Sequence, residues 1–540
     1  MSTQTLYHNG PIITVNEDGQ VVEAALVSDG KFVCVGAFSE VRDAALASAE
    51  MVDLEGRAMV PGFIDPHGHF PDSGMLALFQ VDVSGPPLGP CNTIADLLGR
   101  LAKKAAGTSS GEWIVGNLFE KSGVEEKRYP TRWELDSVST DYVIVVYHIS
   151  GHGCVTNSRG LAYCNLNKDT PDPVGGRYGR DSETGELNGE LDGMGAMKAI
   201  GEMDAQLTPE KFKAGFRAAA REYLSKGVTL AQNAWATENL LRLFSIVAHE
   251  DGPEIDVMVL PAAHLEPRLT NGELDFDFPA DTRIMRGPRK LFADGSFPLQ
   301  TAVLSEPYYR PFNGDPDYCG KLAITREGMI KHVGALHDAG FQTHIHVNGD
   351  GTADVMLDVM ETVLSANPRE DHRHTFIHCQ TFRDDQLDRM KELGLTPSFF
   401  PAHIYYWGDV HCEITVGPER AARLSPAGSA VRKGLRFTIH NDATVTSTLP
   451  LHLMWCAVNR TTTSGVQLGK DQCITPMQAL RAHTLDAAWQ VFLDHERGSI
   501  EPGKRADFVI LSENPLDNPE GIKDITVEQT VVLGETVYQV

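Results

Sequence analysis

Short runs rich in β-branched and aromatic residues alternate with longer stretches of helical periodicity over most of the chain. Eight of these runs read as buried core strands: 59-MVPGFIDPH, 228-VTLAQNA, 255-IDVMVLP, 289-RKLFADG, 341-FQTHIHVNG, 373-RHTFIHC, 396-TPSFFP and 436-RFTIHND. From the second run onward the intervening segments can carry helices, as in 209-PEKFKAGFRAAAREYLSKG and 383-RDDQLDRMKELG. Alternation of this kind predicts an α/β fold, a parallel (β/α)₈ TIM-like barrel over 59–497 with its active site at the C-terminal ends of the strands.

Two stretches depart from that rhythm. Roughly 150 residues separate the first and second strands, against about 2–6 for an ordinary βα connection. This insertion, at about 72–205, holds its own strand candidates, 112-EWIVGNL and 142-YVIVVYH, and the Gly-rich 175-GGRYGRDSETGELNG. It reads as a subdomain overhanging the barrel mouth. At the two ends, 11-PIITVNEDGQVVEAALVSDGKFVCVG, 506-ADFVILSENP and 530-TVVLGETVY show the alternation and turns of small antiparallel sheets. Residues 1–58 and 498–540 are therefore expected to form one composite β-sandwich domain.

Composition narrows the partners. Across 540 residues the chain is 42% hydrophobic and 22% charged, with a net charge of −26 that argues against nucleic acid or an anionic membrane surface. The N-terminus has neither a basic nor an apolar signal region, and no apolar stretch approaches bilayer length, so a cytoplasmic protein is expected. The nine cysteines include no CxxC spacing, which fits free thiols and disfavours a cysteine zinc site. A two-fold homodimer is the base-rate expectation for assembly.

Side chains with metal affinity recur at the strand ends. The first strand carries His67 and His69, the fourth Lys290 and Asp294, the fifth His344 and His346, the sixth His378, and the eighth His440 and Asp442. A lone strand histidine is usually a satisfied core residue. The joint pattern points elsewhere: His67 and His69 share one face of an extended strand, so both imidazoles can reach one cation, and further ligands converge from other strands. Nitrogen and oxygen donors of this kind suit Zn²⁺, with Mn²⁺ or Fe²⁺ as alternatives.

PGFIDPHGH, followed far downstream by 498-GSIEPGKRADFVIL, resembles the amidohydrolase superfamily of metal-dependent hydrolases over essentially the whole chain. The runs 129-YPTRWELD, 152-HGCVTNSRGL, 170-TPDPVGGR, 290-KLFADGS, 346-HVNGD, 373-RHTFIHCQ and 441-NDATV are similar to the YtcJ-like branch, which includes N-substituted formamide deformylases. The resemblance implies a barrel with a two-ended β-sandwich. It also implies that His67 and His69 hold a first metal, His346 and His378 a second, and a CO₂-carboxylated Lys290 bridges them. Asp442 would ligate the first metal and act as acid and base, while His344 falls outside the family's HxxGD pattern. Three positions depart from the family: 377-IHC replaces a frequent Glu-His, Asn441-Asp442 replaces a frequent Ser-Asp, and Asp294 lies near Lys290. An ordinary Lys290–Asp294 ion pair, or a carboxylate in place of a modified lysine, are the alternatives, and one or two metals per subunit stay open.

The implied reaction is hydrolysis of a non-peptide C–N bond in an N-substituted amide or formamide, or in a carbamate or cyclic amide. Ring-amine deamination with one metal, or a non-catalytic regulator built on the barrel, are the competing readings. His152, next to two glycines, is a candidate donor to the oxyanion or the substrate and equally an ordinary turn histidine. The run 399-FFPAHIYYW places His403, Tyr406 and Trp407 at a strand-to-loop junction. With Phe70 and Trp113 they suggest a small-molecule substrate carrying an apolar or aromatic group.

Overall fold

The structure is a computed structural model describing residues 4–173, 175–201, 207–250, 253–274, 276–312 and 314–540. Its core strands are β1 (Phe63–Ile64), β2 (Val228–Ala236), β3 (Asp256–Pro261), β4 (Arg289–Phe292), β5 (Thr343–Val347), β6 (Thr375–His378), β7 (Thr396–Phe399) and β8 (Thr438–Ile439). Each falls within, or overlaps, one of the eight runs read from the sequence. All neighbours pair in parallel, β1-β2-β3 in one sheet and β4-β5-β6-β7-β8 in another. A short strand, Ile284–Arg286, pairs with β3 and runs through Gly287-Pro288 into β4. Proline has no N–H to give a ladder, so the strand breaks there and changes partner. An Ala262–Lys290 bridge joins the end of β3 to β4. At the other side, the Asp442 N–H donates to the His67 carbonyl (3.2 Å) and the His69 N–H to the Ala443 carbonyl (2.7 Å), which joins the exit of β8 to that of β1.

Amphipathic helices cover these strands. Pro209–Ser225 starts where the Thr208 side chain accepts the Lys211 N–H, with proline in the first turn where no donor is needed. It buries Phe212, Phe216, Ala219, Tyr223 and Leu224 in the main core at helical spacing.

The first run, from Met59, divides at Gly62. Ala58–Pro61 pairs antiparallel with Phe508–Leu511, whereas Phe63–Ile64 belongs to β1. A Cβ at Gly62 would stand 2.5 Å from Thr229 Oγ1, so glycine is required for this close passage between sheets. The sheet on the far side has eight strands drawn from both termini, running from Gln4–Ile13 to Glu535–Gln539. Its alternation sends Ala58 and Val60 into the main core, while Met59 packs with Phe32, Phe508 and Ile510 in a second one. A six-stranded sheet in the insertion includes both strands anticipated there, Ile114–Phe119 and Ile144–His148. The expected end of the insertion near 205 lies outside the described residues. All nine cysteines are unpaired, and no helix among the described residues is long and apolar enough to cross a membrane.

Beneath β5 and β6 three buried or largely buried histidines form a closed network. His337 Nε2 donates to the Asn367 carbonyl (2.7 Å), which leaves Nδ1 to accept from His374 Nε2 (2.9 Å). His374 Nδ1 in turn accepts the Thr343 N–H (3.0 Å), and His372 Nδ1 accepts the His374 N–H (3.0 Å). Burial and the neighbouring histidines hold His374 down to about 2. A folded-state pKa below the unfolded 6.5 means that this stability is fully present above pH 6.5 and is lost as pH falls toward 2. Each pH unit in that window costs about 1.4 kcal/mol for this group. Urea midpoints should therefore fall between pH 7.5 and pH 5, and His374→Gln should flatten the dependence; an unchanged slope in the variant would refute the assignment.

Candidate metal centre and its cavity

The segment after β1 is held against β2: the Phe70 N–H donates to the Gln232 carbonyl (3.0 Å) and Asn233 Nδ2 to the Phe70 carbonyl (2.8 Å). Between the two histidines, a Cβ at Gly68 would stand 2.4 Å from Asp65 Oδ2, so any larger residue there would displace the buried Asp65 carboxylate. His67 and His69 then point at Asp442, with His67 Nε2 3.5 Å and His69 Nε2 3.2 Å from Asp442 Oδ1. One ligand atom from each of the three lies within 4.8 Å of the others. Asp442 Oδ1 is buried and meets no donor in hydrogen-bonding geometry, and His67 Nδ1 is likewise unpartnered. A buried carboxylate oxygen left in this state between two imidazoles fits a divalent cation with N and O ligands.

Lys290, on β4, is 1% exposed and places Nζ 3.3 Å from His67 Nε2. Burial lowers its pKa to about 7, against the opposing pull of the Asp442 carboxylate. No ion pair joins it to Asp294 among the described residues. The Asp294 carboxylate instead accepts Thr352 Oγ1 (2.7 Å) and the N–H groups of Asn348 and Gly349 (both 3.0 Å), tying the ends of β4 and β5 together. Beside it, His346 Nδ1 and His378 Nε2 stand 3.1 Å apart, and His346 Nε2 donates to the Gly295 carbonyl (2.9 Å). His378 and Asp442 both adopt left-handed backbone, with φ of 79° and 51°, at the turns leaving β6 and β8. For residues other than glycine this geometry costs of order 1–3 kcal/mol and is concentrated at functional sites.

Electrostatics separate the groups. Burial pushes Asp442 up, but His69, His440 and Lys290 outweigh it and hold the carboxyl at about 2. Burial disfavours the His69 cation, yet Asp442 beside it carries the pKa above the ordinary value. His152 is pulled down to about 4 by burial, so its ring is neutral near pH 7.

These side chains open on one cavity of about 900 Å³, lined by His67, His69, Lys290, His346, His378 and Asp442 together with His152, His403 and Trp407. Three residues anticipated in its wall stand elsewhere. Phe70 is fully buried and packs edge-on against Phe216 and Tyr223, because the β1 segment turns back toward the helix Pro209–Ser225. Trp113 sits in the insertion against Tyr163. Tyr406 packs on Tyr405 and His452, since one helical residue rotates it about 100° away from Trp407. The wall is supplied instead by Trp235 and Phe292, whose rings are 4.8 Å apart, and by Phe297, Ile324 and Met329. Trp235 is the last but one residue of β2, one past the end of its sequence run, and Phe292 stands two residues after Lys290, so strand-end position was the available signal. His344 is buried, has neither ring nitrogen hydrogen-bonded, and does not line the cavity.

Known proteins resemble this chain along nearly its whole length. The sequence profile of the amidohydrolase family matches residues 50–538. An N-substituted formamide deformylase of Arthrobacter pascens is 27% identical over 98% of this chain and 97% of its own. The Bacillus subtilis (strain 168) protein YtcJ, also named an amidohydrolase, is 24% identical over 99% of both chains. A crystal structure of an uncharacterized metal-dependent hydrolase from Pyrococcus horikoshii OT3 superposes with a TM-score of 0.75 at 28% identity, covering 96% of this chain and 99% of that one.

Proposed function

Because the chain belongs to the amidohydrolase family, we propose that it is a metal-dependent hydrolase cleaving a non-peptide C–N bond, with an N-substituted amide or formamide as substrate. In this reading the parallel strands β1 to β8 close into a (β/α)₈ barrel and the site lies at its C-terminal mouth. The observation that carries it is the meeting of His67, His69 and Asp442 with the buried Lys290 in one large, mostly apolar-walled cavity.

His67, His69 and Asp442 would hold one cation, and His346 and His378 a second, Zn²⁺ suiting both donor sets and Mn²⁺ or Fe²⁺ being alternatives. When bound, such cations supply Lewis acidity and lower the pKa of a water from 15.7 to about 7. Lys290, with its pKa near 7, holds much of its amine neutral, which is the form that combines with CO₂ to give a carbamate and a proton. Carboxylation also replaces a buried ammonium by an anion able to bridge two cations. Asp442 takes the proton of the attacking water and passes it to the departing nitrogen, which leaves poorly unless protonated. His152, neutral and facing the cavity, donates to the carbonyl oxygen as charge develops there. Trp235 and Phe292 receive the apolar or aromatic N-substituent.

Turnover of a panel of N-substituted formamides, amides, carbamates and cyclic amides should disappear on chelation and return with Zn²⁺, Mn²⁺ or Fe²⁺. Fully metal-loaded protein that hydrolyses no member would overturn the reading. Trp235→Ala should raise KM for N-benzyl substrates by about 10–100-fold while leaving N-methyl substrates nearly unaffected, as expected for removal of about 1.5–3 kcal/mol of apolar contact. Equal losses on both substrates would place the N-substituent elsewhere.

A further inference from the structure

The residue before His378 is Ile377, so the carboxylate that often precedes this histidine in the family is missing. His378 Nδ1 nevertheless has a partner: His440 Nε2 lies 3.1 Å away. His440 Nδ1 is 2.8 Å from Ser398 Oγ, Ser398 Oγ is 2.8 Å from Thr438 Oγ1, and Gln490 Nε2 reaches Thr438 Oγ1 at 3.3 Å. His440, Ser398, Thr438 and Gln490 are each 0% exposed. With His346 and the Gly295 carbonyl they complete one continuous chain from Gln490, at the end of the helix Leu485–Gln490, to the cavity.

The chain has two self-consistent polarities. In one, each donor points toward Gly295: the Ser398 hydroxyl donates to His440 Nδ1, His440 Nε2 to His378 Nδ1, and His378 Nε2 to His346 Nδ1. In the other, His378 Nδ1 donates to His440 Nε2, His440 Nδ1 to Ser398 Oγ, and the Ser398 hydroxyl to Thr438 Oγ1. The Thr438 hydroxyl then needs an acceptor, and Gln490 supplies one by turning its amide over, since its Oε1 is buried without a hydrogen-bond partner. His346 Nε2 donates to Gly295 in both cases. Only the second polarity leaves the lone pairs of His346 Nδ1 and His378 Nε2 free, 3.1 Å apart, for one cation.

We propose that His440 is the positioning residue of the His346–His378 cation site, accepting the His378 Nδ1–H in place of a carboxylate and relaying the tautomer change through Ser398 to Gln490. This rests on the reading that His346 and His378 hold a cation. A metal-ligating histidine needs such an outer partner to fix its tautomer and ring orientation. A histidine can play that part here because its second nitrogen passes the proton position on, so the reversal from Gln490 to His378 adds no net charge to a buried site. His440 also meets the His67 ring edge-on, at 5.0 Å between centroids, which limits its own rotation.

Zn²⁺ titration against a competing chelator, with metal content and Tm read together, tests this. Wild type should bind two equivalents. His440→Ala should weaken the second by about 10–100-fold, the usual cost of losing an outer partner, and keep the first. It should also reduce the gain in Tm that the second equivalent brings. His440→Asn, whose side-chain carbonyl can accept the His378 Nδ1–H, should recover part of both. Ser398→Ala, which removes a single hydroxyl, should show a smaller loss in the same direction and serves if His440→Ala fails to fold. Two tight equivalents in both His440→Ala and Ser398→Ala would overturn the proposal and leave the hydrolase reading intact. Equal weakening of both equivalents with a matching fall in Tm of the zinc-free protein would reduce His440 to a packing role. A wild-type protein that binds one equivalent would overturn the two-cation reading and this proposal together.

Discussion

Asp442→Asn is expected to lower kcat/KM toward an N-substituted formamide by at least about 10²–10⁴-fold, the range for loss of a positioned acid–base group. The substitution keeps the shape but exchanges one acceptor oxygen for an NH2 donor and removes the negative charge that faces both His67 and His69. It should therefore also reduce metal content, which separates it from a defect in proton transfer alone. His67→Ala is the companion variant: it takes away a ligand and leaves Asp442, so it should lose the first cation and turnover together. Both proteins should remain folded, with far-UV circular dichroism unchanged. Turnover near the wild-type level in Asp442→Asn would mean that the chemistry lies elsewhere in the cavity.

A second large effect concerns the joint between the core strands and the terminal sheet. Asp256, at the start of β3, is 2% exposed in its side chain and accepts from Arg497 Nη1 at 2.7 Å and Arg505 Nη2 at 2.6 Å. The Arg497 side chain is equally buried. Removing one partner of such a group strands the other charges in a medium that solvates them poorly. Asp256→Ala should cost about 3–5 kcal/mol, the range for breaking a buried ion pair. Urea unfolding would read this as a lowered midpoint. A shift below about 1 kcal/mol would show that water reaches the two guanidinium groups once the carboxylate has gone, the behaviour of an exposed pair.

The two sites differ in how far they can be read from the chain. His67 and His69 announce themselves by their spacing at the end of an apolar run, although in the structure both stand in the segment just after β1 and not on the strand itself. Strand-end position marks Lys290, His346, His378 and Asp442 together with Asp294, His344 and His440, and only the resemblance to the amidohydrolase superfamily singles out the first four. Asp256, Arg497 and Arg505 carry no comparable signal: one carboxylate among 73 acidic residues becomes special only when two guanidinium groups are folded onto it. The cavity wall shows the same limit. Phe70, Trp113 and Tyr406 are aromatic and near the right segments, yet each points into packing, whereas Trp235 and Phe292 reach the cavity. Proximity along the chain cannot tell these apart, because the direction of a side chain depends on where its element is docked.

Periodicity and turn chemistry by themselves determined the eight strands, the interposed helices, the insertion and the participation of both ends in antiparallel sheet, since local spacing decides which face a residue presents. Tertiary structure alone decided that the first run changes sheets at Gly62 and that Asp294 braces backbone amides while Lys290 stands beside His67. It also decided that His440, one of several histidines at the strand ends, contacts His378. Those outcomes depend on atoms tens to hundreds of residues apart approaching within about 3 Å, a distance set by how strands and helices pack rather than by any local pattern.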